Sequence, residues 1–429
     1  MHRTSLSLLL TLCLPTACFS DPAAPADETA DSDGGSSGAQ TSAADGSSGE
    51  PDGSETGDGS GSGDDSSGGV EDGYPAEVTD VLDLPWPPDN YADPDLPDHF
   101  LVAPVTDLRN TPESNPVTDA GATLGRVLFY DTNLSANGTV ACASCHDQAL
   151  GFSDDRALSE GFEGGETGRN SMGLLNAAYY SNGHFFWDER ADTLEDQVLM
   201  PIQDPVEMGM TLEGLVEVVQ SQPYYAALFT EAFGDDTVDA DRIALALAQF
   251  VRAMVSTQSA YDAGIEATGD ALAPFPNFSD EENLGKQLFF SADGNCAVCH
   301  VGDLQGPPAP GQARNFAVFQ PLIAINNGLD AVPSDEGAGG GRFKSHTLRN
   351  IALTGPYMHD GRFTTLMQVV EHYDNGVQGG PDTDPRLMPG GQPQNLGLTM
   401  PEKQAIVAFL ETLTDDVITE DPRFANPFR

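Results

Sequence analysis

The chain has 429 residues and carries 67 acidic side chains against 18 basic ones, which gives a formal net charge of −49. A surface this negative repels the phosphate backbone, so the composition excludes nucleic acid as a partner. The length is sufficient for two domains that each bury a core of their own.

The N-terminus has the pattern of an export signal. Residues 4–19 form an apolar run behind Arg3, and this run is too short to cross a bilayer. Cys18 follows small residues, as in a lipoprotein cleavage site. We therefore predict a signal over 1–18 and lipid attachment at Cys18, with cleavage without a lipid as the alternative. The mature protein should be periplasmic or at the cell surface, held at the membrane through the lipid anchor only.

The following segment differs sharply in composition from the rest of the chain. Residues 20–73 are rich in Gly, Ser and Asp and contain neither Lys nor Arg. Such a segment cannot bury enough apolar surface to offset its ordering entropy. We predict that residues 19–98 form a disordered acidic tether with an extended lead-in to the folded body.

The four cysteines outside the leader all lie in two short motifs, CASCH at 142–146 and CAVCH at 296–300. In a CxxCH motif the two thiols attach to the vinyl groups of a haem, and the histidine binds its iron. Zinc would need further ligands near each motif, and a disulfide would leave the histidines unexplained. The sequence therefore predicts two covalently bound c-type haems, held by Cys142, Cys145, His146, Cys296, Cys299 and His300, with zinc or redox dithiols as the alternatives.

The motifs belong to an internal repeat. Residues 124–146 and 284–300 share the pattern Leu-Gly-basic-x-Leu-Phe-aromatic ahead of the cysteines. Apolar residues recur at helical spacing over 241–256 and again over 401–414. We predict an all-α body of two cytochrome-c-like domains in tandem, 99–270 and 271–429, with a linker at 271–282.

Three further stretches carry a resemblance to a known family. Residues 168–180, 185–209 and 346–376, taken with both haem motifs, resemble the bacterial di-haem cytochrome c peroxidase and MauG family over about 115–415. The resemblance implies an enzyme that reduces hydrogen peroxide to water at the first haem, with electrons relayed through the second haem. It also implies a protein electron donor, either a small cytochrome or a cupredoxin.

The same resemblance assigns residues to the site. His146 matches the proximal ligand of the peroxidatic iron, and Glu207 matches the residue that moves a proton between the peroxide oxygens. Gln197 and Pro201 match its partners, and Trp187 matches a tryptophan between the two haems that can relay electrons. A calcium ion between the domains is implied at the positions matching Asn170, Thr354 and Pro356, which would supply neutral oxygen ligands.

Two positions depart from the peroxidase pattern. The loop 157–170 contains no histidine to bind the first iron in the resting enzyme, and its Glu163 and Glu166 are weak ligands. We therefore expect a five-coordinate first haem that needs no prior reduction. At the second haem, opposite His300, the position of the peroxidase methionine falls on Tyr373, as in MauG. Met388 and His372 are the alternative ligands.

Three functions follow from these observations. The first is a peroxidase that removes hydrogen peroxide. The second is a MauG-like oxidase that uses peroxide to modify a partner protein. The third is a surface-tethered electron carrier in which neither haem is catalytic, and an open first iron beside Glu207 argues against it.

Overall fold

The regular structure of the described residues is helical. The structure is a computed structural model that describes residues 73–301, 314–321 and 323–429, so the predicted signal, Cys18 and most of the tether lie outside the described residues. Within these ranges there is no sheet, only isolated bridged pairs, as the predicted all-α class requires. The α-helices of these ranges are α1 (Ala76–Thr79), α2 (Asp119–Tyr130), α3 (Leu194–Gln203), α4 (Leu212–Ser221), α5 (Pro223–Phe233), α6 (Ala240–Ala253), α7 (Ala260–Thr268), α8 (Asp280–Phe290), α9 (Ala297–His300), α10 (Leu366–Glu371), α11 (Met400–Glu411) and α12 (Asp416–Glu420).

The longer helices begin at capping side chains. Thr118 accepts a hydrogen bond from the Gly121 backbone at the start of α2, and Asp239 accepts one from Arg242 at the start of α6. Ser279 and Glu282 form a capping box at the start of α8. Each cap satisfies a backbone N–H that has no partner inside the helix.

The predicted repeat reappears as two helix pairs that pack in the same way. A Cβ atom added to Gly125 of α2 would lie 2.0 Å from the Ala246 carbonyl oxygen of α6. A Cβ atom added to Gly285 of α8 would lie 1.8 Å from the Ala405 carbonyl oxygen of α11. The two helices predicted from periodicity are confirmed as α6 and α11. Only glycine allows the backbones of each pair to approach this closely.

This contact gives a first prediction. Gly285→Ala should lower the free energy of unfolding by about 1–3 kcal/mol, because the methyl group must push α8 away from α11. Thermal unfolding of the holoprotein measures this as a fall in Tm of several degrees. Glu217→Ala, at an exposed position of α4, is the control and should leave Tm unchanged. A Gly285→Ala protein as stable as the control would contradict the close packing.

Residues far apart in sequence complete the first core. Val78 and Leu82 from the lead-in are buried there together with Phe424 from the C-terminal tail. The tail is fixed by the Tyr130 hydroxyl, which donates to the Phe424 carbonyl at 2.6 Å, and by Arg126 Nε, which donates to the Ala425 carbonyl at 2.7 Å. The tail, which we placed with the second domain, therefore packs on the helices of the first. The boundaries at 98 and 270 stay predictions.

The predicted linker 271–282 is ordered in part. Phe275 and Phe278 are buried in the second core, and α8 already begins at Asp280 within the stretch. This core contains Phe289 of α8 and Phe409 of α11. The stretch is therefore an irregular segment that contributes to a core.

A buried ion pair joins α7 to the segment that leads into α10. Arg349 is fully buried, and its guanidinium donates to both carboxylate oxygens of Asp262, the longer contact being 2.6 Å. His99 Nε2 lies 2.7 Å from the same carboxylate. Burial alone would raise the pKa of Asp262, but Arg349 and the hydrogen bonds from His99 and Ser259 lower it to about 2. The carboxylate is thus charged and fully partnered at neutral pH.

This pair gives a second prediction. Asp262→Asn should cost about 3–5 kcal/mol of stability at pH 7, because it leaves the Arg349 charge buried without a counter-ion. The folded pKa of Asp262 is depressed, so its contribution is present above the unfolded value near 4 and is lost as pH falls through about 2. Thermal unfolding is measured from pH 7 to pH 2. The difference in unfolding free energy between the wild type and Asp262→Asn should shrink only below about pH 4. A difference that is the same at pH 2 and pH 7 would contradict it.

No helix among the described residues is long and apolar enough to cross a membrane.

Candidate active site

The two CxxCH motifs each line a cavity. Cys142, Cys145 and His146 border a cavity of about 470 Å³, which we call the first cavity. Cys296, Cys299 and His300 border another of about 200 Å³, which we call the second cavity. All four thiols are free, so no disulfide joins them. The thiols are therefore available for attachment to a cofactor.

The two histidines are held in the same way. His146 Nδ1 lies 2.9 Å from the Phe152 carbonyl oxygen, and His300 Nδ1 lies 3.2 Å from the Phe319 carbonyl oxygen. Both phenylalanines have a positive φ, 59° and 55°. Burial lowers the pKa of both imidazoles, that of His300 to about 4. A neutral imidazole whose Nδ1–H is fixed by a carbonyl presents Nε2 for a metal, as haem ligation requires.

The cavity walls also carry polar atoms that lack a partner. Gln320 Oε1 on the first cavity, His359 Nδ1 on the second and His346 Nε2 on both are buried without a hydrogen bond. Buried polar groups are nearly always hydrogen-bonded, so these atoms indicate a missing polar ligand. In each cavity a pair of thiols, a neutral histidine and unpaired polar atoms together fit a covalently bound haem.

Glu207 lies on the loop that follows α3 and borders the first cavity with Gln197 and Pro201 of that helix. Asp204 Oδ1 accepts hydrogen bonds from the backbone of Val206 at 2.8 Å and of Glu207 at 3.2 Å, which fixes the turn. Burial raises the pKa of Glu207, Asp204 raises it further, and Arg190 opposes both. A carboxyl group that binds a proton more readily than usual is suited to receive and return one.

The loop 157–170 packs directly on the turn of Glu207. The Phe162 N–H donates to the Glu207 carbonyl at 3.1 Å, and a Cβ atom on Gly161 would lie 1.6 Å from the Val206 carbonyl oxygen. Glu163 and Glu166 are exposed and do not border the first cavity. The two carboxylates that we considered as weak iron ligands therefore point elsewhere.

Trp187 borders both cavities. Its indole N–H donates to the Asn170 carbonyl at 2.8 Å, and its own carbonyl accepts from the Lys344 N–H at 2.7 Å. The next residue, Asp188, pairs with Arg169 at 2.7 Å and with Arg190 at 2.8 Å. The indole is thus held by hydrogen bonds on both sides in the wall between the two cavities.

The surroundings of Tyr373, His372 and Met388 distinguish these three candidate ligands of the second iron. Tyr373 borders it and lies in a π-helical turn, His372–Gly376, that continues α10. Such turns are rare and often mark functional sites. His372 Nε2 lies 3.0 Å from the Asn327 carbonyl oxygen instead, and neither His372 nor Met388 borders this cavity. Of the three residues considered, the geometry favours Tyr373.

Comparison with known proteins decides the family. The family model for di-haem cytochrome c peroxidase matches residues 119–270. MauG of Methylorubrum extorquens is 34% identical over 306 residues, which cover 70% of this chain and 80% of the relative. The chain belongs to the di-haem cytochrome c peroxidase and MauG family. It is therefore an oxidoreductase of this type.

Both branches of the family are represented among the relatives. Cytochrome c551 peroxidase of Nitrosomonas europaea is 36% identical over 309 residues, covering 71% of this chain and 82% of the relative. A crystal structure of a MauG-like protein associated with microbial copper homeostasis superposes with a TM-score of 0.61 at 30% identity. The superposition covers 80% of this chain and 99% of the chain in that crystal structure. The comparisons therefore leave peroxidase and MauG-like oxidase both open.

The residues matched to the family's calcium site come together on the second cavity. Asn170, Thr354 and Pro356 all border it. The Asn170 side-chain amide donates to the Arg156 carbonyl at 3.1 Å, which leaves its oxygen toward other partners. No group of three or more His, Cys, Asp or Glu side chains that could hold a metal occurs in the described part of the chain. Any calcium here would rely on neutral oxygens, so calcium stays a prediction.

Sequence reasoning missed several residues of the cavities. Asn327 Nδ2 lies 3.5 Å from the Tyr373 hydroxyl and 3.4 Å from the Met358 sulfur, and all three residues border the second cavity. Lys344 and His346 border both cavities. Asn327 lies outside the stretches that resemble the family, so no motif indicates it. His346 and Lys344 carry no motif either, so their position on both cavities emerges only from the fold.

Proposed function

We propose that this chain is a peroxidase that reduces hydrogen peroxide to water in the first cavity, with two c-type haems in tandem helical domains. The observation that carries the proposal is Glu207, half-buried on the same cavity as Cys142, Cys145 and His146 with no iron-ligating side chain from loop 157–170 beside it. When bound, the haem would supply a redox-active iron that passes electrons to the peroxide.

The residues of the chain supply the proton transfer. His146 would hold the iron from one side, fixed by the Phe152 carbonyl. Glu207 would take the proton from the nearer peroxide oxygen and return it to the farther one, so that water leaves. Each turnover consumes one peroxide, two electrons and two protons and yields two molecules of water. Gln197 and Pro201 border the space in which peroxide must lie and restrict its orientation.

Electrons would pass between the cavities through Trp187, which borders both. Its N–H is committed to a backbone carbonyl that cannot take the proton, so the indole is suited to pass electrons without losing that proton. His300 and Tyr373 would bind the second iron, and a phenolate donor favours its oxidised states. Tyr373 is also the observation that favours the second candidate function, a MauG-like oxidation of a partner protein.

The remaining proposals concern location and partners. We infer an exported protein, lipid-anchored at Cys18 and held off the membrane by the acidic tether, with one calcium ion at Asn170, Thr354 and Pro356. The net charge of −49 supports a basic electron donor. The rate of reduction by a small cationic cytochrome should therefore fall steeply as ionic strength rises, because salt screens the attraction. An acidic cytochrome of similar size is the control, and equal rates for both donors would contradict this proposal.

A stopped-flow experiment tests the proposed function. Ferric holoprotein is mixed with one equivalent of peroxide without reductant, and the Soret band is followed. Rapid loss of the high-spin ferric signature, with both haems changing together, is the expected result. A reaction that begins only after one haem is reduced would contradict the open first iron. No reaction in either state would leave the electron carrier as the function.

A further inference from the structure

Four residues of one segment, 344–347, separate the two cavities. Lys344, His346 and Thr347 border both of them, and Ser345 borders the second. The His346 ring packs edge to face against Trp187, with 4.7 Å between ring centroids. The relay residue and this segment therefore form one wall.

His346 Nε2 is buried in this wall and has no hydrogen-bond partner. Trp187 does not provide one, because its only N–H is bonded to the Asn170 carbonyl. Burial and the neighbouring Lys344 lower the pKa of His346 to about 3, so the imidazole is neutral in the absence of an anion. A buried imidazole nitrogen without a partner costs free energy that a bound polar group would recover.

Lys344 adds a charge to the same wall. It is 5% exposed, and its ammonium group lies over two rings, 4.3 Å from the centroid of Tyr180 and 4.8 Å from that of Phe185. Glu189, whose charge acts on Lys344 from a distance, instead accepts hydrogen bonds from Tyr180 and Asn182.

Other buried cations in the described residues have oxygen partners: most pair with carboxylates, and Lys286 donates to the Ala271 carbonyl at 2.9 Å. Arg252 pairs with Glu195 at 2.6 Å and Lys403 pairs with Asp374 at 2.7 Å. Lys344 has neither kind of oxygen partner in the described residues, although the chain carries 67 acidic side chains. A buried ammonium beside an unpaired imidazole nitrogen requires an anion that is not part of these residues.

We propose that His346 and Lys344 form a carboxylate-binding site in the wall between the two cavities, and that its ligand is a propionate group of a bound haem. A carboxylate accepts hydrogen bonds from both an ammonium and an imidazole, and it supplies the charge that Lys344 lacks. The anion would lie beside Trp187 and stabilise the positive charge that the indole acquires when it gives up an electron. This inference rests on the proposed function, because it requires that both haems are attached.

Resonance Raman spectroscopy of the ferric holoprotein tests this directly, because the propionate bending band reports hydrogen bonding to that group. His346→Phe keeps an aromatic ring against Trp187 and removes the nitrogens. It should shift the propionate band of one haem and lower the reduction potential of that haem, by an amount equal to a three- to tenfold change in its reduction equilibrium. The potential falls because an uncompensated carboxylate stabilises ferric iron. Lys344→Met should act in the same direction.

His184→Phe is the matched control, because His184 is partly exposed, lies near Asp192 and borders neither cavity. Unchanged band and potential in His346→Phe and Lys344→Met, relative to this control, would overturn the proposal. The second arm titrates formate into the wild type and His346→Phe. If formate shifts the Soret band of the wild type alone while the propionate bands agree, the site binds a carboxylate from solution and not the haem. None of these measurements uses peroxide. Their outcome therefore does not depend on whether the protein reacts as a peroxidase.

Discussion

Glu207→Gln is expected to slow the reaction of the ferric protein with peroxide by about two to four orders of magnitude, the range for loss of a general acid–base group. The amide keeps the shape of the side chain but cannot accept and return a proton. Stopped-flow measurement of the second-order rate constant gives the result. Glu213→Gln, an exposed acid of α4, is the matched control and should react like the wild type. A Glu207→Gln rate within threefold of the control would remove Glu207 from the mechanism.

The pH dependence carries a further signature of the same residue. The basic form of Glu207 is required, and burial raises its pKa above the ordinary value near 4.5. The wild-type rate should therefore fall as pH decreases through this raised pKa. The Glu207→Gln protein should lack this inflection, because the group that titrates is gone. An inflection at the same pH in both proteins would assign it to another group.

The second large effect is expected at Tyr373. Tyr373→Phe removes the phenolate and should convert the ferric second haem from low spin to high spin. Tyr373→Met replaces a hard anionic donor by a soft neutral one and should raise the potential of that haem by about 120 mV or more, since 59 mV corresponds to a tenfold change for one electron. Electron paramagnetic resonance and a spectroelectrochemical titration measure these two changes.

Tyr357→Phe is the control for this experiment, because Tyr357 also borders the second cavity. It should change neither the spin state nor the potential. An unaltered low-spin ferric spectrum in Tyr373→Phe would show that another residue binds the second iron. Met358, whose sulfur lies near the same Asn327 amide, would then be the first residue to exchange.

The sequence predicted what depends on local pattern. The CxxCH spacing is a requirement of covalent attachment, and helices α6 and α11 follow from the periodicity of their apolar residues. The glycines of the repeated Leu-Gly pattern, Gly125 and Gly285, are the residues that contact the partner helices. These features are encoded within a few turns of chain, so they can be read without a structure.

The features that could not be predicted depend on contacts across the chain. Phe424, which completes the first core, lies more than 290 residues after Tyr130 in the sequence. No periodicity of the sequence predicts such a contact. Lys344 is unusual because, within the described residues, neither a carboxylate nor a carbonyl accepts from its ammonium, which is a property of its surroundings. Asn327 approaches Tyr373 from 46 positions away. Spacing along the chain does not determine any of these distances.

The position of the C-terminal tail has a consequence for how the protein matures. Phe424 packs against Phe152 and Phe250 of the first core, and the Arg429 N–H donates to the Val81 carbonyl at 3.0 Å. The first core is therefore complete only when residues 415–429 lie against it. If the chain is exported unfolded, as we propose, its N-terminal half would complete its core only after the tail has also crossed the membrane. Both CxxCH motifs would then be accessible together to the machinery that attaches haem, before either is enclosed.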